Sequence, residues 1–321
     1  ARFDPGHDAV MMCYDFHLAG EMPRLIEVNT NAGGGMLAYL AQAPALPVDQ
    51  QSLPAKFRKR LLQTFSDEIK KHSTGAKLKP ERVAIIDENP TEQYLYPEMA
   101  AFADLFKAWG VPTEIVEPRQ LHASTEGVSF DGQPVDLVYN RHCDFYLVSD
   151  EMAGLRQAYL ASKVCLTPNP HMYGLLADKR RMILWSDPQQ RASWHLSGND
   201  ERLLEQTVPN TSLLAALDLQ RLWSDRKRLV FKPVDSFGSR GVLIGEKLSR
   251  KRFDQLPAER TLVQELVPPS MSETADDGPM KTDLRVYAYR NRVLGVTARL
   301  YRWQVTNLRT PGGGFASVRI I

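Results

Sequence analysis

The sequence predicts a mixed α/β protein (α+β), because strand-like and helix-like segments alternate along most of its 321 residues. Apolar residues make up 43% of the chain and charged residues 24%, which are the proportions of an ordinary globular protein. A chain of this length can bury a large core, and two domains or one large multi-lobed domain are expected.

Charge and cysteine content exclude several classes of protein. The net charge of +2, from 40 basic and 38 acidic residues, gives no global reason to expect nucleic acid or an anionic membrane as a partner. The three cysteines, without a CxxC spacing, argue against a disulfide framework or a zinc site and favour a reducing compartment, so a cytoplasmic protein is expected. No apolar stretch is long enough to cross a bilayer, and no signal-peptide pattern is present. Because the chain begins with Ala rather than Met, a trimmed or partial chain is expected.

The first notable segment is LIEVNTNAGGG at residues 25–35, where an apolar run carries Glu27 and Asn29 to three consecutive glycines. Residues 25–29 are predicted to form a buried strand that ends in a glycine loop. The glycines would let the backbone turn sharply and approach a substrate closely. An amphipathic helix is predicted over residues 54–72, followed by the linker STGAKLKP.

The middle of the chain predicts a Rossmann-like lobe. RVAIIDENP, a helix through PEMAAFADLFKAWG, then PTEIVEP and VDLVYNR follow a βαβ order. The GxGxxG fingerprint is absent, so the strand ends are better candidates for holding a substrate than a dinucleotide. Asn140 and Arg141 end one such strand, where a carboxylate could be clamped; alternatively, Arg141 pairs with Asp144 in a surface turn. Cys143 has no evident activating partner and is expected to be a packed thiol.

The segment RLVFKPVDSFGSRGVLIG at residues 228–245 predicts a β-hairpin. Its first strand carries Lys232, and its loop from Ser236 to Gly241 is rich in glycine and serine. Such a loop can direct backbone N–H groups at a phosphate while the lysine neutralises charge. The alternative is a plain surface hairpin with a solvated lysine, and a Walker A spacing is absent.

The C-terminal segments add further basic residues. TLVQELVPPS predicts a strand followed by a double proline. Such a segment suits a hinge whose backbone N–H and C=O groups pair with the edge of an adenine ring. Taken alone, it is only a strand end. KTDLRVYAYRNRVLGVTARLYR predicts two strands that carry Arg285 and Arg299. Strand arginines are more often solvated than functional, but VTNLRTPGGGFASV follows at once with Asn307 and Arg309. Together these basic residues and glycines indicate a polyphosphate site.

Taken in order, Lys232 in its hairpin, QELVP, DLRVYAY, ARLYR and TNLRTPGGG resemble the ATP-grasp carboxylate–amine ligases, and most closely the segment order of the ribosomal-protein glutamate ligases. In that family, a strand carrying an aspartate and a strand ending in Glu-x-Asn and a glycine turn come next. Here the matching piece lies at the other end of the chain: Asp15 on one strand, then Glu27 and Asn29 on the next, joined by a hairpin at residues 18–23. The separation of 12 between Asp15 and Glu27 matches the family's metal-ligand spacing.

The resemblance therefore implies a circularly permuted ATP-grasp fold, with a segment order similar to that of eukaryotic glutathione synthetase and glutathionylspermidine synthetase. It implies three parts: a permuted metal-binding part at residues 1–75, a Rossmann-like substrate lobe at residues 76–172, and the nucleotide-binding lobes at residues 173–321.

Site residues follow from the resemblance position by position. It implies that Asp15, Glu27 and Asn29 bind Mg²⁺, with two ions expected, since magnesium prefers oxygen ligands beside substrate phosphates. Arg299, Asn307 and Arg309 would act on the transferring phosphoryl group. The implied nucleotide contacts are Lys179, Lys232, Ser236, Gly238, Ser239, Gln264, Glu265, Leu266, Val267 and Arg285.

Two of the carried-over positions have alternatives. Lys179 could belong to a solvated helix turn instead. Asp235 lies about one position before a metal-binding glutamate of glutathione synthetase, and it either substitutes for that residue or caps the turn.

The implied activity is formation of an amide or peptide bond. ATP would phosphorylate a substrate carboxylate, and an amine would attack the resulting acylphosphate, with ATP and Mg²⁺ as cofactors. The expected substrates are small carboxylates and amines such as amino acids, peptides or polyamines; a homo-oligomer is left open. Two alternatives remain: an ATP-binding protein without ligase activity, serving as a sensor or degenerate homologue, and a phosphotransferase on the same fold.

Overall fold

The computed structural model describes residues 1–42, 54–236, 238–274, 278–306 and 311–318. In chain order the strands are β1 (Met12–Ala19), β2 (Met22–Asn29), β3 (Val83–Ile86), β4 (Thr113–Val116), β5 (His122–Ser124), β6 (Gly127–Phe130), β7 (Gln133–Pro134), β8 (Leu137–Asn140), β9 (Cys165–Thr167), β10 (Thr211–Leu213), β11 (Leu229–Pro233), β12 (Leu243–Ile244), β13 (Thr261–Glu265), β14 (Ser270–Ser272), β15 (Met280–Tyr289), β16 (Arg292–Tyr301) and β17 (Gly314–Ser317).

The α-helices are α1 (Gly35–Gln42), α2 (Ala55–His72), α3 (Tyr96–Ala108), α4 (Ala153–Leu160), α5 (Pro170–Met172), α6 (Arg181–Ser186), α7 (Pro188–Ala192), α8 (Gly198–Thr207), α9 (Leu219–Asp225) and α10 (Arg250–Asp254). A π-helical turn, Tyr173–Ala177, continues α5. Short 3₁₀ turns lie at Pro90–Glu92, Pro118–Gln120, Asp150–Met152, Leu214–Ala216, Arg226–Arg228, Gly245–Lys247 and Ala258–Arg260.

The largest sheet joins the two ends of the chain. Its antiparallel strands follow the order β17-β16-β15-β1-β2, and β14 also pairs with β15. Asp15 on β1 therefore lies opposite Glu27 on one side and Arg285 on the other. The predicted N-terminal hairpin is confirmed, and so is the hairpin of β15 and β16, which turns at residues 290–291.

A second antiparallel sheet has the order β10-β13-β11-β12. The antiparallel pairing of β11 with β12 confirms the hairpin predicted over residues 228–245. Lys232 on β11 lies opposite Leu262 on β13. A core of Leu214, Phe231, Leu248, Phe253 and Val263 covers one face of this sheet.

The central lobe contains the predicted parallel sheet, with the order β4-β3-β8-β9, next to a small antiparallel sheet of β5, β6 and β7. The four residues of β3, VAII, are all buried, as expected for a strand covered on both faces. Helix α2 begins just after Pro54 and buries Leu61, Phe65 and Ile69, spaced four residues apart along one face. These side chains pack in one core with β3, α3 and Tyr287 of the large sheet, so the lobe is attached through a shared core.

Among the described residues, no helix is both long and apolar enough to span a membrane.

Candidate functional site

A cleft lies between the large sheet and the second sheet. The structure brings together in its walls many residues that sequence reasoning selected: Asp15, Glu27, Lys179, Lys232, Ser236, Ser239, Gln264, Glu265, Leu266, Val267 and Arg299. Strands from both ends of the chain therefore contribute to one cleft.

Lys232 is buried in this cleft, which rules out the solvated lysine considered above. Its Nζ donates to the Ile26 carbonyl at 3.0 Å and to Gln264 Oε1 at 2.6 Å. Burial lowers the pKa of Lys232 to about 8, the carboxylate of Glu27 opposes this shift, and the nearby Lys179 adds to it. Because neither neutral oxygen compensates the charge fully, this ammonium group is suited to an anionic ligand.

The segment after β13 has the properties of the predicted hinge. The Leu266 N–H donates to the Arg228 carbonyl at 2.8 Å, whereas the Val267 N–H makes no hydrogen bond with the described residues. The Val267 carbonyl accepts from His17 Nδ1 at 2.6 Å, so His17 carries its proton on that nitrogen. The side chain of Glu265 is turned outward and accepts from Arg24 at 2.9 Å. The free Val267 N–H remains available to a planar ligand edge.

Asp15 lies in a network of buried charges. Its carboxylate accepts from Arg285 Nε and Nη2, each at 2.7 Å, and lies 3.0 Å from Arg299 Nη2. Burial alone would raise the pKa of Asp15, but these two guanidinium groups outweigh it and hold that pKa below its usual value. Arg299 also forms a bidentate pair with Asp283, at 2.5 and 2.9 Å.

Glu27 and Asn29 stand at the end of β2 with oxygens that could hold a cation. Glu27 Oε1 lies 3.2 Å from Lys179 Nζ, and the Glu27 side chain is 28% exposed. Lys179 also donates to the Ser236 carbonyl, so it bridges the two sheets and is not in a solvated turn. Asn29 Nδ2 donates to Asp15 Oδ2 at 3.3 Å. Asn29 Oδ1 accepts no hydrogen bond from the described residues.

These donors fit Mg²⁺ in part. Glu27 and the free oxygen of Asn29 are ligands of the kind magnesium takes, whereas both oxygens of Asp15 are committed to arginines. Over the ranges that the structure describes, no group of three His, Cys, Asp or Glu side chains is placed to hold a metal ion. A magnesium site here would therefore depend on Glu27, Asn29 and ligand phosphates, and Asp15 would join only by exchanging an arginine.

A second cleft opens from the first toward the central lobe. Five residues line both clefts, and the two communicate there: Glu27, Ser239, Arg240, Arg299 and Thr306. Gly238 and Arg285 line the second cleft and not the first. The guanidinium of Arg285 donates to Asp15 and to the Gly33 carbonyl, the latter at 3.0 Å, and its predicted phosphate contact stays a prediction.

At the central-lobe end of the second cleft, Arg141 is 6% exposed and forms no ion pair with any described residue. Its guanidinium lies 5.5 Å from the centre of the Tyr139 ring, with Nη1 3.4 Å from that hydroxyl. The alternative pairing with Asp144 is wrong, because Asp144 accepts from the Ser149 N–H and Arg141 is buried. Asn140 does not line the cleft, and its Oδ1 accepts from the His142 N–H at 3.0 Å, a bond that stabilises the turn, so its substrate role stays a prediction.

Three other positions singled out in the sequence remain, and two of them lie outside the described residues. Asp235 pairs with Arg260 and lines neither cleft, an arrangement that favours the structural alternative over a metal-binding one. Asn307 and Arg309 lie outside the described residues. Cys143 lines the second cleft, and burial raises the pKa of its thiol to about 11, in keeping with an inert thiol.

Protein side chains, rather than a ligand, occupy the space that the triple glycine leaves. A Cβ on Gly33 would overlap the Glu98 carboxylate and come within 2.7 Å of Arg141 Nη2, and one on Gly34 would overlap the Phe315 ring. Glu98, 2% exposed, accepts from the Gly34 N–H at 2.8 Å and from the Met36 N–H at 2.9 Å. The glycine loop is therefore a packing device that connects the large sheet to the central lobe.

We expect Gly33→Ala to lower the free energy of unfolding by roughly 2 kcal/mol, because the buried Glu98 and Arg141 cannot move without losing contacts. Gly198→Ala is the matched control, since Gly198 has open space around its Cβ position and an ordinary φ. Urea denaturation of both variants measures the difference. Equal stabilities of the two variants would contradict this account of the loop.

Among the residues of the first cleft that the sequence analysis did not select are His17 and Asp283. Each lies two positions along its strand from a selected residue, Asp15 or Arg285, and so shares its face of the sheet. That period of two was the signal that could have found them.

Two antiparallel sheets face each other across a charged cleft, beside a lobe with a parallel sheet, so the chain is an α+β protein, as the sequence predicted. Among solved structures, the chain is similar to a protein from Methylobacillus flagellatus KT whose assignment as a gamma-glutamylcysteine synthetase is provisional. The two share 14% identity with a TM-score of 0.57, over 98% of this chain and 81% of that one.

Two further similar structures have lower TM-scores. One is a RimK-domain ATP-grasp protein from Sphaerobacter thermophilus DSM 20745, with 17% identity and a TM-score of 0.42 over 74% of this chain and 76% of that one. The other is D-alanyl-alanine synthetase A from Vibrio cholerae O1 biovar eltor, with 10% identity and a TM-score of 0.41 over 70% and 68%. No family model and no curated protein matches this sequence. At such identities the likeness shows the fold alone.

Proposed function

We propose that this chain is an ATP-dependent carboxylate–amine ligase that forms an amide or peptide bond through an acylphosphate. The observation that carries the proposal is the junction of the two clefts. The first cleft holds the buried Lys232 and the free Val267 N–H, which suit a nucleotide, and it meets the second cleft at Glu27 and Arg299. A transferred phosphoryl group at that junction would face a substrate in the second cleft.

Positioning and charge neutralisation would do most of the chemical work. Lys179 and Lys232 would neutralise nucleotide phosphates, and Arg299 would stabilise charge on the transferring group with its planar guanidinium. Glu27 and Asn29 would hold Mg²⁺, which supplies further charge neutralisation when it is bound. The unpaired Arg141 would hold a substrate carboxylate at the other end of the second cleft.

We also infer that the fold is circularly permuted, in the three parts 1–75, 76–172 and 173–321. The pairing of β1 with β15 supports this, because it places the N-terminal Glu-x-Asn hairpin in the same sheet as the C-terminal strands. An amino acid, peptide or polyamine as substrate and a cytoplasmic location stay predictions.

Measuring ADP and phosphate release with Mg·ATP against a panel of amino acids, small peptides and polyamines tests the proposal. We expect one carboxylate–amine pair to stimulate release and to yield an amide detectable by mass spectrometry. ATP binding without stimulation by any pair would favour the non-ligase alternative. A stable phosphorylated product without an amide would favour the phosphotransferase.

We expect the affinity for ATP to weaken roughly tenfold between pH 7 and pH 9, because only the charged fraction of Lys232 binds phosphate well. The pKa of Lys232 is lowered to about 8, so the cationic form predominates below that pH and is lost above it. Calorimetric titration at several pH values measures this. Lys232→Arg, whose charge persists throughout, should flatten the profile; an unchanged slope in this variant would assign the dependence to another group.

A further inference from the structure

The parallel sheet of the central lobe has a topological switch point between β3 and β8. The chain leaves β3 toward β4 on one side, while β8 lies on the other side. In open parallel sheets, ligands bind outside the carboxyl ends of the strands at such a point. Ile86 pairs with Asn140 in register, so Asp87 and Arg141 emerge side by side at that edge, and both line the second cleft.

Asp87 and Arg141 are neighbours of opposite charge, yet they form no ion pair. The Arg141 guanidinium lies over the Tyr139 ring and is 6% exposed. Asp87 Oδ1 accepts from the Glu88 N–H at 2.8 Å, and Asp87 Oδ2 has no hydrogen-bond partner among the described residues. The carboxylates of Glu98 and Asp87 interact with Arg141 at longer range, but no described carboxylate lies within ion-pair distance of its guanidinium. Because a buried guanidinium without a direct counter-ion is costly, a ligand that supplies the missing charges would complete the crevice. An anionic group beside a cationic one matches both.

We propose that the amine substrate is an amino acid whose carboxylate binds Arg141 and whose ammonium group binds Asp87, and that Asp87 accepts a proton from this ammonium. The inference rests on the proposed ligase function and specifies its second substrate. Asp87 is then a catalytic residue, while Arg141 fixes the orientation of the same molecule.

The step balances in atoms and charge. The ammonium nitrogen gives one proton to Asp87 Oδ2 and so regains its lone pair, which attacks the carbonyl carbon of the acylphosphate. A C–N bond forms, and the C–O bond to the phosphate breaks. The second surplus proton of the nitrogen leaves with the phosphate, so the products are the amide, hydrogen phosphate and protonated Asp87, which returns its proton to solvent.

The surroundings of Asp87 suit a base that works near neutral pH. Burial raises its pKa to about 6, whereas the hydrogen bond from the Glu88 N–H and the charges of Arg141 and His142, at the end of β8, oppose the rise, and the Glu88 carboxylate adds slightly to it. Cys143 also faces this carboxylate. The basic form therefore predominates above about pH 6, and we expect amide formation to decline as the pH falls below that value.

Hydroxylamine provides the decisive probe, since it is a largely uncharged nucleophile at neutral pH and has no ammonium proton to give up. Wild-type protein is first incubated with Mg·ATP, hydroxylamine and each common amino acid in turn, and the hydroxamate is measured to identify the carboxylate donor. The same donor is then offered each amino acid as the amine, and the amide is measured by mass spectrometry. Asp87→Asn keeps the Oδ1 acceptor for the Glu88 N–H. The matched control is Glu92→Gln, which removes an exposed carboxylate of the same loop that lines neither cleft.

We expect Asp87→Asn to reduce amide formation roughly 100-fold and to leave hydroxamate formation within about threefold of wild type. Glu92→Gln should change neither reaction appreciably. If Asp87→Asn retains both reactions, or if it loses both while its thermal unfolding is unchanged, Asp87 does not act on the amine and the inference is overturned. Absence of hydroxamate in the wild type with every donor overturns the proposed function itself, and this inference with it.

Discussion

Replacing Glu27 with glutamine is expected to reduce ATP-dependent turnover on the order of 1,000-fold, the size of effect associated with removing one charged group that acts on a transferring phosphoryl. Glu27 lines both clefts at their junction and lies 3.2 Å from Lys179 Nζ. Glutamine keeps the shape of the side chain but removes the negative charge that would hold Mg²⁺ there. We expect thermal stability to remain close to wild type, because the side chain is 28% exposed. ATP affinity should fall far less than turnover, since the Glu27 charge acts on binding only by keeping Lys232 protonated.

The experiment measures ADP release at saturating ATP together with ATP affinity by calorimetry. Glu21→Gln is the matched control, since Glu21 is an exposed glutamate in the turn of the same hairpin. A Glu27→Gln protein with turnover close to that of the control would show that the carboxylate does not act at the junction. Residual ATP hydrolysis unchanged by the substitution would count against the ligase itself.

Local patterns were sufficient to predict most of the fold. The four apolar residues of β3, the spacing of Leu61, Phe65 and Ile69 in α2, and the turn between β15 and β16 are properties of short segments, and each was found where expected. The pairing of β1 with β15 is different, because nothing within MCYDFHLA specifies a partner about 270 residues away. Only the resemblance in motif order indicated that these strands share a sheet.

Side-chain partners were the least predictable part of the site. The sequence pointed to Asp15 because of its spacing from Glu27. Its pairing with Arg285 depends instead on the register between β1 and β15, which the spacing of residues within one segment does not reveal. Asp235 turns to Arg260, which belongs to a different segment. The free charge of Arg141 could not be inferred either, since it depends on burial over Tyr139 and on the failure of Asp87 to pair with it.

Arg285→Met is expected to lower the free energy of unfolding by roughly 3–5 kcal/mol, because it leaves the carboxylate of Asp15 buried with one of its partners removed. Asp15 is 1% exposed and receives two hydrogen bonds from Arg285, each at 2.7 Å. The matched control is Arg292→Met on the same hairpin. Arg292 pairs with Asp67 at 2.9 Å but is 51% exposed, so its loss should cost less than about 1 kcal/mol.

The double variant Asp15→Asn/Arg285→Met distinguishes the effect of the lost charge pair from the effect of the lost packing of the Arg285 side chain. Removing both charges abolishes the uncompensated carboxylate, so we expect the double variant to be more stable than Arg285→Met alone. Urea denaturation of the wild type, both single variants and the double variant completes the cycle. If Arg285→Met costs no more than Arg292→Met, the bond between the N-terminal hairpin and β15 does not stabilise the large sheet. A double variant clearly more stable than Arg285→Met would instead show that Arg285 stabilises the protein by compensating the buried charge of Asp15. The two residues belong to strands from opposite ends of the chain, so this charge pair would also help to hold those strands in one sheet.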